Sequence, residues 1–255
     1  MTLNEFNNYL NAFLKKENFS DDPSLNGIQI QNSSPDSKQL KKVAFAVDAC
    51  EATALAAANE NADVLIVHHG LFWGGCETIT GSFYKRIAPF IKNDLALIAY
   101  HIPLDANNPY GNNYGLANLI GLTELEPFAF WHGMPVGVKG KFSSPLSLDE
   151  VCKKVSEHTK TECQSFPFGK KDIRNVGIVS GGASGDVWQA VEDGLDLYIT
   201  GVFMHDNFHY AKEMKMNVIS GGHYGTEIIG VTLLKEKIEK ELGLQTLFID
   251  QPTAL

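Results

Sequence analysis

The chain has 255 residues, 44% hydrophobic and 20% charged, a size and composition that suit one large domain or two small lobes with enough length to bury a core. A formal net charge of -9 and lysines that cluster no further than scattered pairs, such as Lys41 with Lys42, argue against a general nucleic-acid surface, which needs clustered Lys and Arg. No uninterrupted apolar run reaches the ~18 residues of a membrane span, and the start of the chain lacks the basic flank and apolar core of a signal peptide, so the expected location is cytoplasmic.

The opening stretch MTLNEFNNYLNAFLKK places Leu3, Phe6, Leu10, Phe13 and Leu14 on one helical face, and Thr2 with Glu5 fits a capping box. A βαβ pattern follows: KKVAFAVDA (41–49), CEATALAAANEN (50–61) and DVLIVHH (63–69). A helix near 82–93 and a third strand, LALIAYH (95–101), extend it. The segment 126–145, rich in Pro, Gly and aromatics, reads as a crossing between lobes, and Ser147 with Glu150 caps a further helix. The same plan then returns in RNVGIVS (174–180), a helix near 185–194, DLYITG (196–201), a helix near 205–215 and NVISGGH (217–223). A shift of 133 aligns Val43 with Val176, Phe45 with Ile178, Asp63 with Asp196 and Ile66 with Ile199 without a gap.

The expected fold is therefore α/β, with two similar lobes from an internal duplication and mainly parallel sheets flanked by helices. The division falls at 1–125 (His68, His69, His101, Asp105) and 126–255 (His223, Glu227). In both halves a histidine after the third strand is followed four residues on by a carboxylate: His101 with Asp105, and His223 with Glu227. If helix starts directly at His223, that pair shares a face about 5–6 Å apart at Cβ; Pro103 and the polar run after Asp105 predict a loop for the first pair.

Ligands of parallel sheets gather beyond the carboxyl ends of the strands, where all six of these residues sit. His68 and His69 are adjacent, and a strand's pleat would send them to opposite faces; at the strand's end that constraint lapses and both can turn one way. Imidazoles and carboxylates without thiolate suit zinc, iron, manganese or nickel. So many ligands exceed what one ion takes, whereas two divalent ions ~3.5–4 Å apart, bridged by a carboxylate, would use them.

His132, His158, His205 and His209 read as packed or surface residues. Cys50, Cys76, Cys152 and Cys163 show no metal spacing and read as thiols of a reducing compartment. SGGASGD (180–186) reads as a turn capped by Ser184 or Asp186, with a phosphate cradle as the alternative. Phe72, Trp73, Phe128, Phe130 and Trp131 read as packing, with base stacking as the alternative.

The motifs SLNGIQI (24–30), VHHGLFW (67–73), YHIPLDA (100–106), ITGVFMHDNFHYA (199–211) and GGHYGTE (221–227) resemble those of the Nif-three-like dinuclear-metal proteins, the GTP cyclohydrolase I type 2 homologues. The resemblance runs through the whole chain. It implies a metal pair in the cleft between two lobes and a toroidal homohexamer. It also implies one ion on His68, Asp105 and Glu227 and the other on His69, His223 and Glu227, with Glu227 bridging. His101 would be a proton carrier or would support the ligands. Many members read Thr-Gly-Glu where this chain has Thr200, Gly201, Val202. The function implied is a metal-dependent hydrolase of a nucleotide-like substrate such as GTP. Two further readings stand beside it. One is a non-enzymatic metal-binding adaptor or regulatory hexamer that binds a protein or, against the acidic balance, nucleic acid. The other is a scaffold with an incidental metal.

Overall fold

The computed structural model describes residues 1–255. In chain order the elements are α1 (Leu3–Phe13), β1 (Gly27–Ile30), β2 (Lys42–Asp48), α2 (Glu51–Asn59), β3 (Val64–His69), α3 (Gly81–Lys92), β4 (Ala96–Ala99) and α4 (Ile102–Asp105). There follow α5 (Asn112–Ile120), β5 (Thr123–Trp131), β6 (Met134–Ser147), α6 (Leu148–Thr159), β7 (Gln164–Phe166), β8 (Asp172–Val179), α7 (Val187–Glu192) and β9 (Leu197–Thr200). The chain ends with α8 (His205–Glu213), β10 (Asn217–Ser220), α9 (His223–Leu242) and β11 (Gln245–Phe248). No helix is long and apolar enough to cross a membrane.

Two compact units result: Met1–Leu104 with Val231–Gln251, and Asp105–Gly230 with Pro252–Leu255. The expected boundary at 125/126 is thus replaced by a discontinuous one. Two local causes account for this: β11 returns to pair in parallel with β2 of the first unit, and α5 packs on α6 and β6 of the second.

The first unit's sheet has the order β1-β4-β3-β2-β11, parallel except for the β1 edge. Strands β2, β3 and β4 carry almost unbroken runs of buried Val, Ile, Leu, Ala and Phe, as strands covered on both faces do. Helix α1 has the expected capping box, with Thr2 Oγ1 accepting from Glu5 N–H and the Glu5 carboxylate accepting from Thr2 N–H at 2.8 Å. Its Leu3, Phe6, Leu10 and the following Leu14 are buried, while Phe13 lies at the margin.

The second unit's sheet has the order β5-β6-β8-β9-β10-β7. Only β8-β9 and β9-β10 are parallel, which corrects the expectation of mainly parallel sheets for this half. The segment expected to cross between lobes is a β5-β6 hairpin instead. His132 and Gly133 form its two-residue turn, both with positive φ (50° and 79°); such a turn matches the twist of the flanking strands. Helix α6 starts with the expected Ser147/Glu150 capping box.

The internal duplication is visible in the strand register. Val43 pairs with Val64 and Phe45 with Ile66; 133 residues later Val176 pairs with Leu197 and Ile178 with Ile199. The loop before the second strand repeats as well. Asp63 Oδ2 accepts from Lys41 and Lys42 N–H at 2.7 and 3.0 Å, and Asp196 Oδ2 accepts from Arg174 and Asn175 N–H at 3.1 and 2.9 Å. The third strands shift this relation, because Val64 pairs with Ala96 and Leu197 with Asn217. His101 is therefore matched by Gly222, and His223 by Ile102, so the two His-carboxylate pairs are offset by one residue rather than equivalent.

Asp196 is a structural anchor with a defined pH signature. Burial by itself would raise its pKa, but the hydrogen bonds from Asn175, Lys170 and Arg174 outweigh burial and hold it below the ordinary value of 3.8. A carboxyl with a depressed folded pKa stabilises the fold at pH above its unfolded pKa and loses that contribution as pH falls through the folded value. Asp196→Asn is expected to lower urea stability by about 1–3 kcal/mol at pH 7. The gap to the parent should narrow below pH 3.8; a gap that is constant with pH would contradict this.

Candidate functional site

In the first unit, β3 runs through both His68 and His69, as the strand read over 63–69 does, and ends at His69. Their rings nonetheless approach to 4.5 Å between centroids, because each is tethered to a different neighbouring strand. His68 Nδ1 lies 3.1 Å from the carbonyl oxygen of Tyr100, just past β4. His69 Nδ1 lies 2.8 Å from Asp48 Oδ1 at the end of β2. His101 completes the group, its ring centroid 5.1 Å from that of His68 and 5.8 Å from that of His69. His101 Nδ1 lies 3.0 Å from Asp22 Oδ1. The nitrogens these three side chains can offer all lie within 4.8 Å of one another.

The chemistry of these contacts fixes the tautomers. A carbonyl or carboxylate oxygen can only accept, so each Nδ1 carries a proton and donates, and in the neutral ring the lone pair then lies on Nε2. This is the pattern of metal-binding histidines, whose second nitrogen is held by an oxygen acceptor.

Asp22 is fully buried at its side chain and accepts four hydrogen bonds. Oδ1 accepts from His101 Nδ1 and Ser24 N–H; Oδ2 accepts from Asn26 Nδ2 and Ile102 N–H. Burial pushes its pKa up, yet the His101 contact and the other donors prevail and keep it below the ordinary carboxylate value. The SLNGIQI stretch supports the same group. Asn26 Oδ1 accepts from His101 N–H at 2.8 Å, and Gln29 Oε1 accepts from Leu71 and Phe72 N–H at 2.7 and 3.2 Å. A Cβ on Gly70 would collide with the Gln29 amide, so the glycine after the histidine pair is required for this packing.

In the second unit, α9 starts at His223, so the expected shared face forms: His223 Nε2 lies 3.2 Å from Glu227 Oε1. Glu227 is buried. Gly181, with φ of 65°, lies so close that a Cβ there would collide with Glu227 Oε1. The glycine's amide donates to Thr226 Oγ1 at 3.0 Å, and that hydroxyl in turn donates to the Gly222 carbonyl at 2.9 Å. Asp105 is buried and ends α4, a short helix where a loop was expected; Pro103 fits there because the first turn of a helix has no use for its missing N–H. Its Oδ1 accepts from Asn112 Nδ2 at 2.8 Å and Ser180 Oγ at 2.9 Å. Asn113 Oδ1 accepts from Ser180 N–H at 2.7 Å.

SGGASGD therefore supports these carboxylates through Ser180 and Gly181. Neither Ser184 nor Asp186 caps α7 with its side chain, contrary to expectation; Ser184 Oγ instead accepts from Met204 N–H ahead of α8 at 2.8 Å. Val202 donates its N–H to the Gly181 carbonyl at 3.0 Å, a contact that needs no particular side chain. His132, His205 and His209 are exposed and His158 half-buried, and all four cysteines are free thiols. Phe128 is core, while Trp73, Phe130 and Trp131 are exposed. Trp73 packs edge-on against His101 at 5.0 Å.

The sequence reading missed Asp22, Asp48, Asn112, Asn113, Ser180 and Gly181 as site residues. The signal for Asp22 was present: Asp-Pro-Ser begins an Asx turn, in which the carboxylate accepts from the amide two residues on.

Residues 1–254 match the family model of Duf34/NIF3 (NGG1p interacting factor 3). A GTP cyclohydrolase 1 type 2 homolog from Treponema pallidum is 39% identical, with 100% of both chains covered. One of the same name from Deinococcus radiodurans is 42% identical over 92% of this chain and 88% of its own. Among solved structures, TTHA1606 from Thermus thermophilus superposes with a TM-score of 0.91 at 38% identity, covering 100% of both chains.

Proposed function

The chain belongs to the Duf34/NIF3 family, and from that premise we propose that it is a dinuclear metal-dependent hydrolase of a nucleotide-like substrate, working as a cytoplasmic homohexamer. The observation that carries this reading is the triple imidazole group of the first unit, in which an oxygen acceptor holds every Nδ1 and leaves each lone pair on Nε2. Three histidines arranged in this way are poorly explained as core packing, since a folded core has no need to orient them alike.

His68, Asp105 and Glu227 would hold one ion, and His69, His223 and Glu227 the other. Neutral imidazole and carboxylate oxygen fit zinc, iron, manganese or nickel. The site residues meet that requirement: no thiolate is among them, and the Gly181 cradle leaves room for the Glu227 carboxylate that any side chain would displace. Such a pair of ions supplies Lewis acidity and a water acidified toward neutral pH. The protein's own groups orient and exclude. Asp48, Asp22 and the Tyr100 carbonyl fix the imidazoles, and Asn112 with Ser180 fixes Asp105. His101, outside the ligand set and held by Asp22, is the proton carrier in this reading. The name of the relatives makes GTP the first substrate to assay.

Elemental analysis of protein purified without a histidine tag is the decisive measurement. About two ions per chain are expected in the parent, with a sharp fall in Glu227→Ala and in His69→Ala, each with loss of nucleotide turnover. One ion or none, unchanged by Glu227→Ala, would sink the reading. Two ions without turnover of any nucleotide would favour the non-enzymatic adaptor, a reading to which Val202 lends weight because its side chain offers neither charge nor hydrogen bond.

A further inference from the structure

We propose that the first unit carries a second binding site, for a small organic anion with an apolar portion, in the cavity at the C-terminal end of α1. The cavity measures about 670 Å³ and is broadly open to solvent, within the size range of small-molecule sites. It stands apart from the metal reading and does not depend on it.

Its polar lining combines one ammonium, Lys16, with the carboxylates Asp22 and Glu17 and the amides and hydroxyls of Asn11, Asn26, Ser20 and Ser24; the groups not already committed are donors. Lys16 lines it with an ammonium that forms no ion pair with any carboxylate of the fold. Asn11 lines it too; its Oδ1 accepts from the Tyr100 hydroxyl at 2.7 Å, which leaves the two Nδ2 hydrogens to face other partners. Ser24 lines it with a hydroxyl that is buried and has no hydrogen-bond partner, a costly arrangement in a finished core. The carboxylate beside them, Asp22, is saturated by its four donors and has no lone pair to spare for a ligand. Glu17 lies exposed at the rim, and as the sequence neighbour of Lys16 it does not face it on a helical turn. An anion therefore meets one unpaired ammonium, one amide and one idle hydroxyl.

The apolar part of the ligand is inferred from Phe19 and Leu25, which also line the cavity. Leu25 is 52% exposed, a leucine surface that a ligand's aliphatic or aromatic body would cover. The site touches the imidazole group through Asp22, which lines the cavity on one side and holds His101 on the other. A bound anion would sit one residue from the proposed proton carrier.

Calorimetric titration of the intact protein with phenyl phosphate and with benzoate tests this, with benzyl alcohol as the neutral control. Saturable binding of at least one anion in the micromolar to millimolar range is expected; which of the two binds better identifies a phosphomonoester or a carboxylate as the ligand. Lys16→Met should weaken binding at least tenfold and Ser24→Ala several-fold. Ser24→Ala should keep urea stability at or above the parent's, since its buried hydroxyl forms no internal bond, so loss of binding there is not loss of fold. Glu227→Ala should bind the anion as the parent does, which separates this site from the metals. No saturation up to about 10 mM, equal binding of benzyl alcohol, or affinity unchanged in both Lys16→Met and Ser24→Ala would overturn the proposal.

Discussion

Asp22→Ala is expected to destabilise the protein by about 3–5 kcal/mol, the range for removing one partner from a buried charged network. The carboxylate has no exposed side-chain surface and collects four donors from two segments: Ser24 and Asn26 beside it, and His101 with Ile102 between β4 and α4. Removing it strands two backbone amides, and each buried unsatisfied group costs about 1–3 kcal/mol. Asp22→Asn keeps the volume but turns an NH2 toward one of the donor pairs, so it should cost about 1–3 kcal/mol. The variant has a second readout that a purely structural carboxylate would not give. Where that NH2 takes the Oδ1 position, His101 loses its acceptor at Nδ1 and is no longer held in one tautomer, and the pH profile of any turnover should shift in Asp22→Asn while metal content stays at the parental level. Urea stability within about 0.5 kcal/mol of the parent in Asp22→Ala would contradict this account.

Much of the architecture was legible in the sequence because it is written in local chemistry. Both capping boxes, Thr2 with Glu5 and Ser147 with Glu150, formed as read, since their partners lie three residues apart and need no tertiary context. The duplication was legible because buried parallel strands tolerate only apolar residues, and a repeated register repeats that pattern. The hairpin β5-β6 was not. Its strands are half-exposed, and the turn residues His132 and Gly133 resemble those of a linker; only the pairing of Trp131 with Met134 distinguishes the two. The site was legible where a residue announces its chemistry, as the doubled histidine and the His223-Glu227 spacing do. The supporting residues were hidden for a physical reason: Asp22 and Asp48 lie 79 and 21 residues from the histidines they hold, and serine, asparagine and glycine are common enough elsewhere to carry no signal alone. The one-residue offset between His101 and His223 was beyond reach as well, because it depends on strand pairing rather than on spacing from the carboxylate.

Gly181→Ala is expected to reproduce much of the Glu227→Ala phenotype while leaving every proposed ligand in the sequence. Two costs add at this position. The φ of 65° is left-handed and costs an alanine roughly 1–2 kcal/mol. The new methyl group would also collide with Glu227 Oε1, and overpacking of a close-packed site costs about 1–3 kcal/mol. The carboxylate has little room to retreat, because Thr226 beside it is tied to Gly181 N–H and to the Gly222 carbonyl. If Glu227 is shared between two ions, displacing it should weaken both, and metal affinity should fall by roughly 10–100-fold, the range for lesions just outside a ligand shell. Gly182→Ala is the matched control one residue away. A Cβ there would lie 3.5 Å from His223 Cε1, at ordinary van der Waals distance, so this variant should bind metal and resist urea like the parent. The pair separates a geometric effect from a loop that merely dislikes side chains. Loss of metal in Gly181→Ala alone would mean that the carboxylate's position sets affinity. Equal loss in both variants would mean that the turn itself is fragile, and the role assigned to the Gly181 cradle would have to be withdrawn.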